Sequence, residues 1–254
     1  MVCFGSLYWL FVLKGQILFF GSICQIFLCP VLRKSLAIAL HSIPYRDSSV
    51  IARFFTEDNG LQSFIASGVR AAKTKLSPSL FQPLSLTELV YYFHPDRELH
   101  RLSEIRSVGD LSGIQMHPAK TAMAMFVAEY LGRVLKEQLE NKPLFVLTSQ
   151  WMQTLNRIDS DFESAHLGFL WQSFSSLGIA PENWVDLCVS GKTDAEKFKP
   201  FADDFFDSED AFLPLRLPSE FRKEVLDLLV EYASRHLEGM GQMKSLTVLR
   251  QVFS

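Results

Sequence analysis

Residues 41–88 read HSIPYRDSSVIARFFTEDNGLQSFIASGVRAAKTKLSPSLFQPLSLTE and carry the signals that decide the fold. Apolar runs of strand length alternate here with turns: Val50–Thr56 is followed by Glu57–Gly60, which ends in Asn-Gly, and then by Leu61–Ser67. Asn-Gly between two apolar runs is typical of a β-hairpin. The next loop has cations at positions 70, 73 and 75 and no acid between them. The stretch therefore predicts a small β-structure that carries a basic loop.

The flanking sequence supplies three more predicted strands. Ser35–Ile43 precedes the hairpin and is ended by Pro44, Pro83–Phe93 follows the basic loop, and Leu99–Val108 follows a turn at 94–96. Five strands within about 75 residues, joined by short turns, are typical of a small closed barrel such as the OB-fold. We therefore expect an OB-fold barrel over residues 31–108.

From residue 109 the apolar pattern changes to a helical period. A stripe from Met123 to Leu135 has the spacing of one helix face, and Pro118 lies where a first helical turn tolerates proline. Helical patterns also cover roughly 143–157 and 162–176. Ser219 is predicted to cap a further helix, and a last one spans Lys244–Phe253. With an irregular acidic and aromatic insert at about 180–215, the predicted class is α+β: a five-stranded OB-fold β-barrel, then an all-helical domain over 109–254.

Charge is distributed unevenly along the chain. The formal net charge is −3, yet residues 31–108 hold ten Lys and Arg against seven Asp and Glu. Residues 109–254 hold 14 basic and 21 acidic residues. The basic surplus of the predicted barrel favours a negatively charged partner, which the overall charge conceals.

The basic loop Gly68–Lys75 is the first candidate for phosphate binding. On composition alone, a solvated surface loop is the more common interpretation. Cations on neighbouring parts of the same predicted barrel favour DNA binding, and rings beside them would allow bases to stack. These rings are Phe54, Phe64, Tyr91 and Tyr92; some of them, and most Phe residues, are expected to belong to the core. The predicted DNA-binding residues are Lys34, Arg70, Lys73, Lys75, Arg97 and Arg101.

Motifs for catalysis or metal binding are weak. His94–His100 holds two histidines and two carboxylates, but a polar turn is the commoner interpretation because no further ligand or nucleophile is nearby. Ser190–Thr193 resembles the end of a phosphate-binding loop, yet Asp186 stands where its first glycine is required. The cysteines (3, 24, 29 and 188) lack zinc-ligand spacing and suit a reducing cytosol. We expect no enzyme activity, metal or cofactor; a hydrolase built on His94–His100 is one alternative.

Residues 1–30 are almost uncharged and leave three interpretations open. A membrane anchor is the first, because Gly15–Leu28 is apolar; Lys14, however, leaves pieces shorter than the roughly 20 residues of a spanning helix. A mis-called start is the second: Val31–Lys34 resembles a native start, because a GTG codon encodes Val inside a gene but Met where translation initiates. A folded apolar extension is the third. The alternative function is accordingly a membrane-tethered adaptor that binds proteins.

Five segments, in this order, resemble the RecO family of bacterial DNA repair proteins. They are KSLAIALHSIPYRDSS from Lys34, FFTEDNGLQSFIASGVR from Phe54, KTKLSPSLFQPLSLTEL from Lys73, LHRLSEI from Leu99 and KSLTVLRQVF from Lys244. The resemblance spans about 32–253 and implies an OB-fold followed by helices. It further implies cytoplasmic, non-catalytic binding of single- and double-stranded DNA, annealing of complementary strands, and loading of recombinase onto DNA coated by single-strand-binding protein. The implied protein partners are RecR and the C-terminal tail of single-strand-binding protein.

The chain departs from the family pattern in the insert. Many family members have a four-cysteine zinc module at about 180–212, where this chain keeps only Cys188. We therefore expect no zinc and packing of the insert's aromatic residues instead. For Asp203–Asp207 a loop whose rings dock on the helical domain is the commoner interpretation; because the segment resembles the acidic, Phe-ending tail that the family's helical domain binds, the alternative is that it covers the chain's own peptide site. The family start, near Leu32, favours the mis-called start for residues 1–30.

Overall fold

The structure is a computed structural model that describes residues 31–69, 76–94, 96–188 and 217–253. Several sequence predictions concern residues outside these ranges. They are the interpretations of residues 1–30, the roles of Arg70, Lys73 and Lys75, and the segment Asp203–Asp207. The expectation of a zinc-free insert also falls largely outside the described residues.

Five strands form a closed barrel at the start of the described chain. They are β1 (Val31–Tyr45), β2 (Ser49–Thr56), β3 (Gly60–Ala66), β4 (Leu86–Phe93) and β5 (Leu99–Ser107). The order around the barrel is β1-β2-β3-β5-β4, and β4 pairs back onto β1. Neighbouring strands are antiparallel except β3 and β5, which are parallel. The predicted five-stranded OB-fold barrel is confirmed.

Two predicted strand ends beside prolines are wrong, and β1 also begins at Val31 rather than at Ser35. Pro44 does not end β1 but lies within it, paired with Val50. Beyond Ala39, β1 is hydrogen-bonded to β2 alone and has no described partner strand on its other edge. Proline, which has no N–H to donate, is tolerated in such an edge segment. β4 begins at Leu86 rather than at Pro83, because Leu84 adopts φ +60° in a turn that follows a short 3-10 helix, Pro78–Phe81.

Helices make up most of the described chain after the barrel. They are α1 (Ser112–Gln115), α2 (Pro118–Val134), α3 (Lys142–Arg157), α4 (Ala165–Ser176), a 3-10 helix (Trp184–Cys188), α5 (Ser219–His236) and α6 (Lys244–Val252). Pro118 opens α2 as predicted, whereas Ser219 is the first residue of α5 and Pro218 holds its cap position. Within the described ranges, no helix has the length and apolar character needed to cross a membrane.

The hydrophobic core has two parts, one on each side of β1 and β2. Phe54 and Phe64 belong to the part enclosed by the barrel. Ile38 and Phe55, which are register partners, belong to the part shared with the helices, where the Phe55 ring meets that of Phe145 at 5.3 Å between centroids. Because side chains alternate along a strand, β1 and β2 are apolar on both faces. Among the described residues, the helices therefore pack on the outer faces of β1 and β2 around Ile38 and Phe55.

A short segment after α2 joins the helices to the barrel. Its Gln138 backbone N–H donates to the carbonyl oxygen of Leu61 at 3.2 Å, and Glu137 pairs with Arg53 at 3.2 Å. Gly60 allows the close approach: its φ is +62°, and a Cβ there would lie 2.0 Å from the carbonyl oxygen of Leu139. Only glycine fits both the backbone angle and the space.

The junction predicts opposite effects for two glycine substitutions. Gly60→Ala should lower the free energy of unfolding by about 2–4 kcal/mol, because it adds both a clash and backbone strain. Gly132→Ala is the matched control: its Cβ meets open space inside α2, and the change should raise that free energy by about 0.5–1 kcal/mol. Urea unfolding measures both. Equal stability of the two variants would contradict the assigned junction.

Candidate nucleic-acid surface of the barrel

One row of side chains, with one residue from each strand, runs around the outside of the closed barrel. Ile43 of β1 is the register partner of Ile51 of β2, which is the partner of Ile65 of β3. Ile65 is in turn the partner of Arg101 of β5, and Arg101 is the partner of Tyr92 of β4. We call these five residues the outer row. Register pairing places each side chain directly beside the next.

The outer row is apolar and accessible, which is unusual for the outside of a barrel. Ile43 is 47% exposed and Tyr92 is 43% exposed, while Ile51 and Ile65 are half-buried. Leu32, the β1 partner of Tyr92, is 56% exposed and extends the apolar surface. Contiguous exposed apolar residues mark binding surfaces more often than isolated ones do. The row thus offers flat apolar contacts with a ring and a guanidinium at one end.

Of the four rings proposed for base stacking, only Tyr92 is available. Phe54, Phe64 and Tyr91 are the core members of this set: they are fully buried inside the barrel. Their rings pack edge to face, with centroids 5.7 Å apart for Phe54 and Phe64 and 4.9 Å apart for Phe64 and Tyr91. Tyr92 follows Tyr91 on the strand and therefore points to the opposite face.

The described cations of the predicted site differ in their surroundings. Arg101 lies beside Tyr92, and Arg97 lies in the turn between β4 and β5; both are exposed, and neither has an ion pair within the described residues. The ammonium of Lys34 instead pairs with Glu88 at 2.8 Å, so its charge is balanced. The structure thus places Arg101 in the outer row and gives Lys34 a protein partner.

The segment that carries Arg70, Lys73 and Lys75 is bounded by two residues of the barrel core. Val69, the last described residue before it, is 2% exposed inside the barrel, and Leu76, the first after it, packs against the same cluster. Both ends of the segment are therefore fixed to the barrel, and Val69 lies three residues beyond Ala66, the last residue of β3.

A buried polar network holds the strands beneath the Arg101 end of the row. The Nε2 atom of His100 lies 2.8 Å from Oε1 of Gln62, and Nε2 of Gln62 donates to the carbonyl oxygen of Asn59. Arg33 donates to Oδ1 of Asn59 at 2.7 Å and lies 3.8 Å from the ring of Phe93. His100 points inward, so Arg101 next to it points outward.

The His94–His100 cluster does not converge on one site. His100 is 1% exposed within the barrel, whereas Nδ1 of His94 lies 3.9 Å from a carboxylate oxygen of Asp96 in the turn. Among the described residues, no group of three or more His, Cys, Asp or Glu side chains is arranged to hold a metal ion. His100 therefore belongs to the barrel core and His94 to a surface turn. The described residues of the cluster include no hydroxyl or thiol nucleophile.

A cleft of about 430 Å³ lies between the barrel and helices α2 and α6. Glu129 on its wall accepts hydrogen bonds from Ser245, Arg133 and the backbone of Lys244. Burial alone would raise the pKa of Glu129, but these hydrogen bonds outweigh it and lower the pKa to about 2. Glu129 therefore anchors α6 on α2 and has no free oxygen for a ligand.

Two buried histidines predict a loss of stability in acid. Burial lowers the pKa of His100, aided by His94 and Arg33, and lowers the pKa of His166 to about 3, aided by Arg222. In the unfolded chain both imidazoles take up protons below about pH 6.5, so the unfolded state binds more protons there.

The free energy of unfolding should consequently fall between about pH 7 and pH 5, by up to about 1.4 kcal/mol per pH unit for each such histidine. Urea unfolding across this range measures the slope. His166→Phe, which keeps a ring against Phe253, should reduce the slope without abolishing it, since His100 remains. A stability independent of pH over this range would contradict the assignment.

Comparison with known proteins adds a family relationship. The family model "Recombination protein O N terminal" matches residues 32–110, which contain the barrel. The chain is 32% identical over 241 residues to the DNA repair protein RecO of Phocaeicola vulgatus, across 88% of this chain and 100% of that protein. It is 30% identical to the DNA repair protein RecO of Azobacteroides pseudotrichonymphae, with the same coverage of both chains. The RecO of Bacteroides fragilis strain YCH46 is 29% identical, also over its full length.

Proposed function

The chain belongs to the RecO family of DNA repair proteins, and from this premise we propose that it is a non-catalytic, DNA-binding mediator of recombination. A role in DNA repair and recombination follows from the family itself. The observation that carries the proposal of DNA binding is the pairing of Tyr92 with Arg101 on adjacent strands, both exposed. A base can stack on the tyrosine ring while the guanidinium beside it binds the adjoining phosphate.

The chemistry of the outer row favours binding that does not depend on base sequence. Isoleucine surfaces and a tyrosine ring contact any base face, while guanidinium groups attract phosphates. We infer that the barrel recognises strand state and charge rather than base edges. Arg97, in the turn beyond Tyr92, lies where it would meet the continuing backbone.

We infer a second contribution from Arg70, Lys73 and Lys75. Support comes from their charge and from the fixed ends of their segment at Val69 and Leu76. Cations that neutralise the phosphates of two complementary strands reduce the repulsion between the strands, and the proposed annealing activity follows from this effect. Duplex DNA would bind through the same cations by its phosphates.

Family membership supports three further proposals about partners. We propose that RecR and the C-terminal tail of single-strand-binding protein bind this chain, the tail at the helical region after residue 109. Recombinase loading would then follow indirectly, through DNA released from single-strand-binding protein. We also propose that the protein acts in the cytoplasm, where it reaches DNA.

Replacing Arg70, Lys73 and Lys75 together by Gln should weaken DNA binding and slow strand annealing. Each lost phosphate contact should flatten the slope of log K against log salt by about 0.7 on single strands. Fluorescence anisotropy at several salt concentrations and an annealing assay, with and without single-strand-binding protein, provide the measurements. The control is Gln at Lys136, Lys142 and Arg157, three exposed cations outside the barrel. Equal slopes in the two triple variants would exclude the loop.

Tyr92→Ser and Arg101→Gln should each weaken single-strand binding by roughly tenfold, the expected cost of one lost stacking or phosphate contact. Arg106→Gln is the matched control, because Arg106 lies on the same strand as Arg101 but pairs with Glu104 at 2.9 Å. Anisotropy with a labelled oligothymidine provides the measurement. If Arg106→Gln and Arg101→Gln bind alike, the outer row is not the DNA surface.

A further inference from the structure

We propose that the cleft between the barrel and helices α2 and α6 binds an acidic amphipathic helix of a partner protein. This is the cleft of about 430 Å³ whose wall contains Glu129. The partner helix would place its apolar face against α2 and α6 and an acidic residue beside a cation at the rim. The cleft shares no residue with the outer row, so the inference is independent of the proposed DNA binding.

The walls of the cleft expose apolar side chains of two helices. Met125 on α2 and Val248 on α6 are each 42% exposed. Val252, also 42% exposed, lies one turn beyond Val248 and continues the same face of α6. Pro83, on the barrel side of the lining, is exposed as well. Contiguous exposed apolar residues of this kind are typical of a protein-binding groove.

Gly132 is the residue that points most directly to an incoming partner. It lies inside α2, where glycine is less favourable than alanine, and it lines the cleft. Among the described residues, nothing lies within 4 Å of the Cβ that another residue would carry, so packing within this part of the chain does not require glycine. Gly113 of α1 shows the opposite case, because a Cβ there would lie 2.2 Å from the carbonyl oxygen of Asn156. A partner that approaches the α2 backbone closely would explain the glycine at 132.

The floor of the cleft has the shape that a helix requires. Met125, Ala128 and Gly132 have the i, i+3, i+7 spacing of one helix face and extend over about 10 Å at 1.5 Å per residue. The two small residues leave a furrow along α2, and the ridge of side chains on a second helix packs into such a furrow. A volume of about 430 Å³ is at the lower end of the range for ligand pockets. A few side chains of the partner would therefore enter the cleft, and the rest of its helix would lie along the surface.

The charges around the cleft favour an acidic partner. Glu129 is the lining carboxylate, and its two oxygens accept hydrogen bonds within the protein. Arg133 pairs with Glu129 at 2.8 Å, and Arg53 pairs with Glu137 at 3.2 Å. Lys244 is exposed at the α6 side, and no ion pair joins its ammonium group to a described acid. The cleft thus carries a surplus positive charge, which attracts a carboxylate on the partner and repels a cation.

A synthetic helix of about 20 residues, long enough to be helical in isolation, tests the proposal. It carries Leu at i, i+3, i+4 and i+7, Glu at the edges of the apolar face and Ala elsewhere, with a fluorescein label. We expect the wild-type protein to bind it in fluorescence anisotropy with a Kd on the order of 10 μM, as is usual for a small interface. A peptide with Lys in place of Glu should bind at least about tenfold more weakly. A peptide with two central prolines, which cannot form the helix, should not bind measurably.

Gly132→Leu is the main variant, because it fills the furrow without a clash within the described chain and keeps a good helix former in α2. Its melting temperature should not fall, and its affinity for the acidic peptide should fall at least about tenfold. Val248→Glu should weaken binding to a similar extent, since it places a carboxylate on the apolar wall. Val146→Glu is the matched control: Val146 is 47% exposed on α3, outside the cleft, and the variant should bind like the wild type.

Lys244→Gln should weaken binding about threefold at low salt, and the difference from the wild type should shrink as salt is added. Lys142→Gln, which removes an exposed cation from α3, should have no effect. The affinity of Gly132→Leu for oligothymidine should equal that of the wild type, because the outer row is unchanged.

The outcomes separate this groove from other occupants. Failure of the acidic peptide to bind, or equal binding of the wild type and Gly132→Leu, would overturn the proposal. Displacement of the peptide by oligothymidine, or by the tail peptide of single-strand-binding protein, would assign the cleft to a partner already proposed and overturn a separate one. Dimerisation in sedimentation velocity that Gly132→Leu abolishes would assign the cleft to a second copy of the chain. A protein that binds the peptide but no DNA would overturn the proposed function and leave this inference intact.

Discussion

The burial of α2 is the constraint on which the rest of the structure depends. Phe126, Val127 and Leu131 on this helix are fully buried, and the hydroxyl of Tyr130 lies 2.8 Å from that of Ser173 on α4. A helix that is apolar nearly all round must be covered on every side. The helices after it cover part of that surface and the barrel covers the remainder. The outer faces of β1 and β2 around Ile38 and Phe55 are therefore committed to packing, and ligands are left with barrel surface farther along the strands.

The outer surface of the barrel is less basic and more apolar than the composition of residues 31–108 suggests. Lys34, Arg53 and Arg106 each pair with a carboxylate, so much of the local positive charge is balanced within the protein. Arg101, at one end of the outer row, has no such partner among the described residues. The proposed contacts to bases would thus be made by isoleucine and tyrosine side chains, and those to phosphates by single exposed cations such as Arg101. This combination suits a protein that binds DNA strands without recognising their base sequence.

Sequence patterns identified the elements well and the site less well. The hairpin around Asn59-Gly60 and the helix that begins at Pro118 follow from local signals, since a turn type and a first helical turn each demand particular residues. The end of β1 was misplaced because Pro44 breaks only a strand that is paired on both sides. Consecutive apolar residues such as Phe54-Phe55 do not show which face of the strand lies inside the barrel, because both faces of β2 are apolar. For the same reason, the sequence pattern does not identify the residues of the outer row.

By itself, the sequence determined a five-stranded barrel followed by helices, the local surplus of basic residues and the family resemblance. These depend on periodicity and on short motifs, which are properties of neighbouring residues. The tertiary structure decided which rings are buried, which cations are balanced, and that Ile43, Ile51, Ile65, Arg101 and Tyr92 form one row. A row across a barrel joins residues from five strands far apart in the chain. Strand register brings them together: the Asn59-Gly60 turn sets it for β2 and β3, whereas the pairings of β5 with β3 and of β4 with β1 join segments that are distant in the chain.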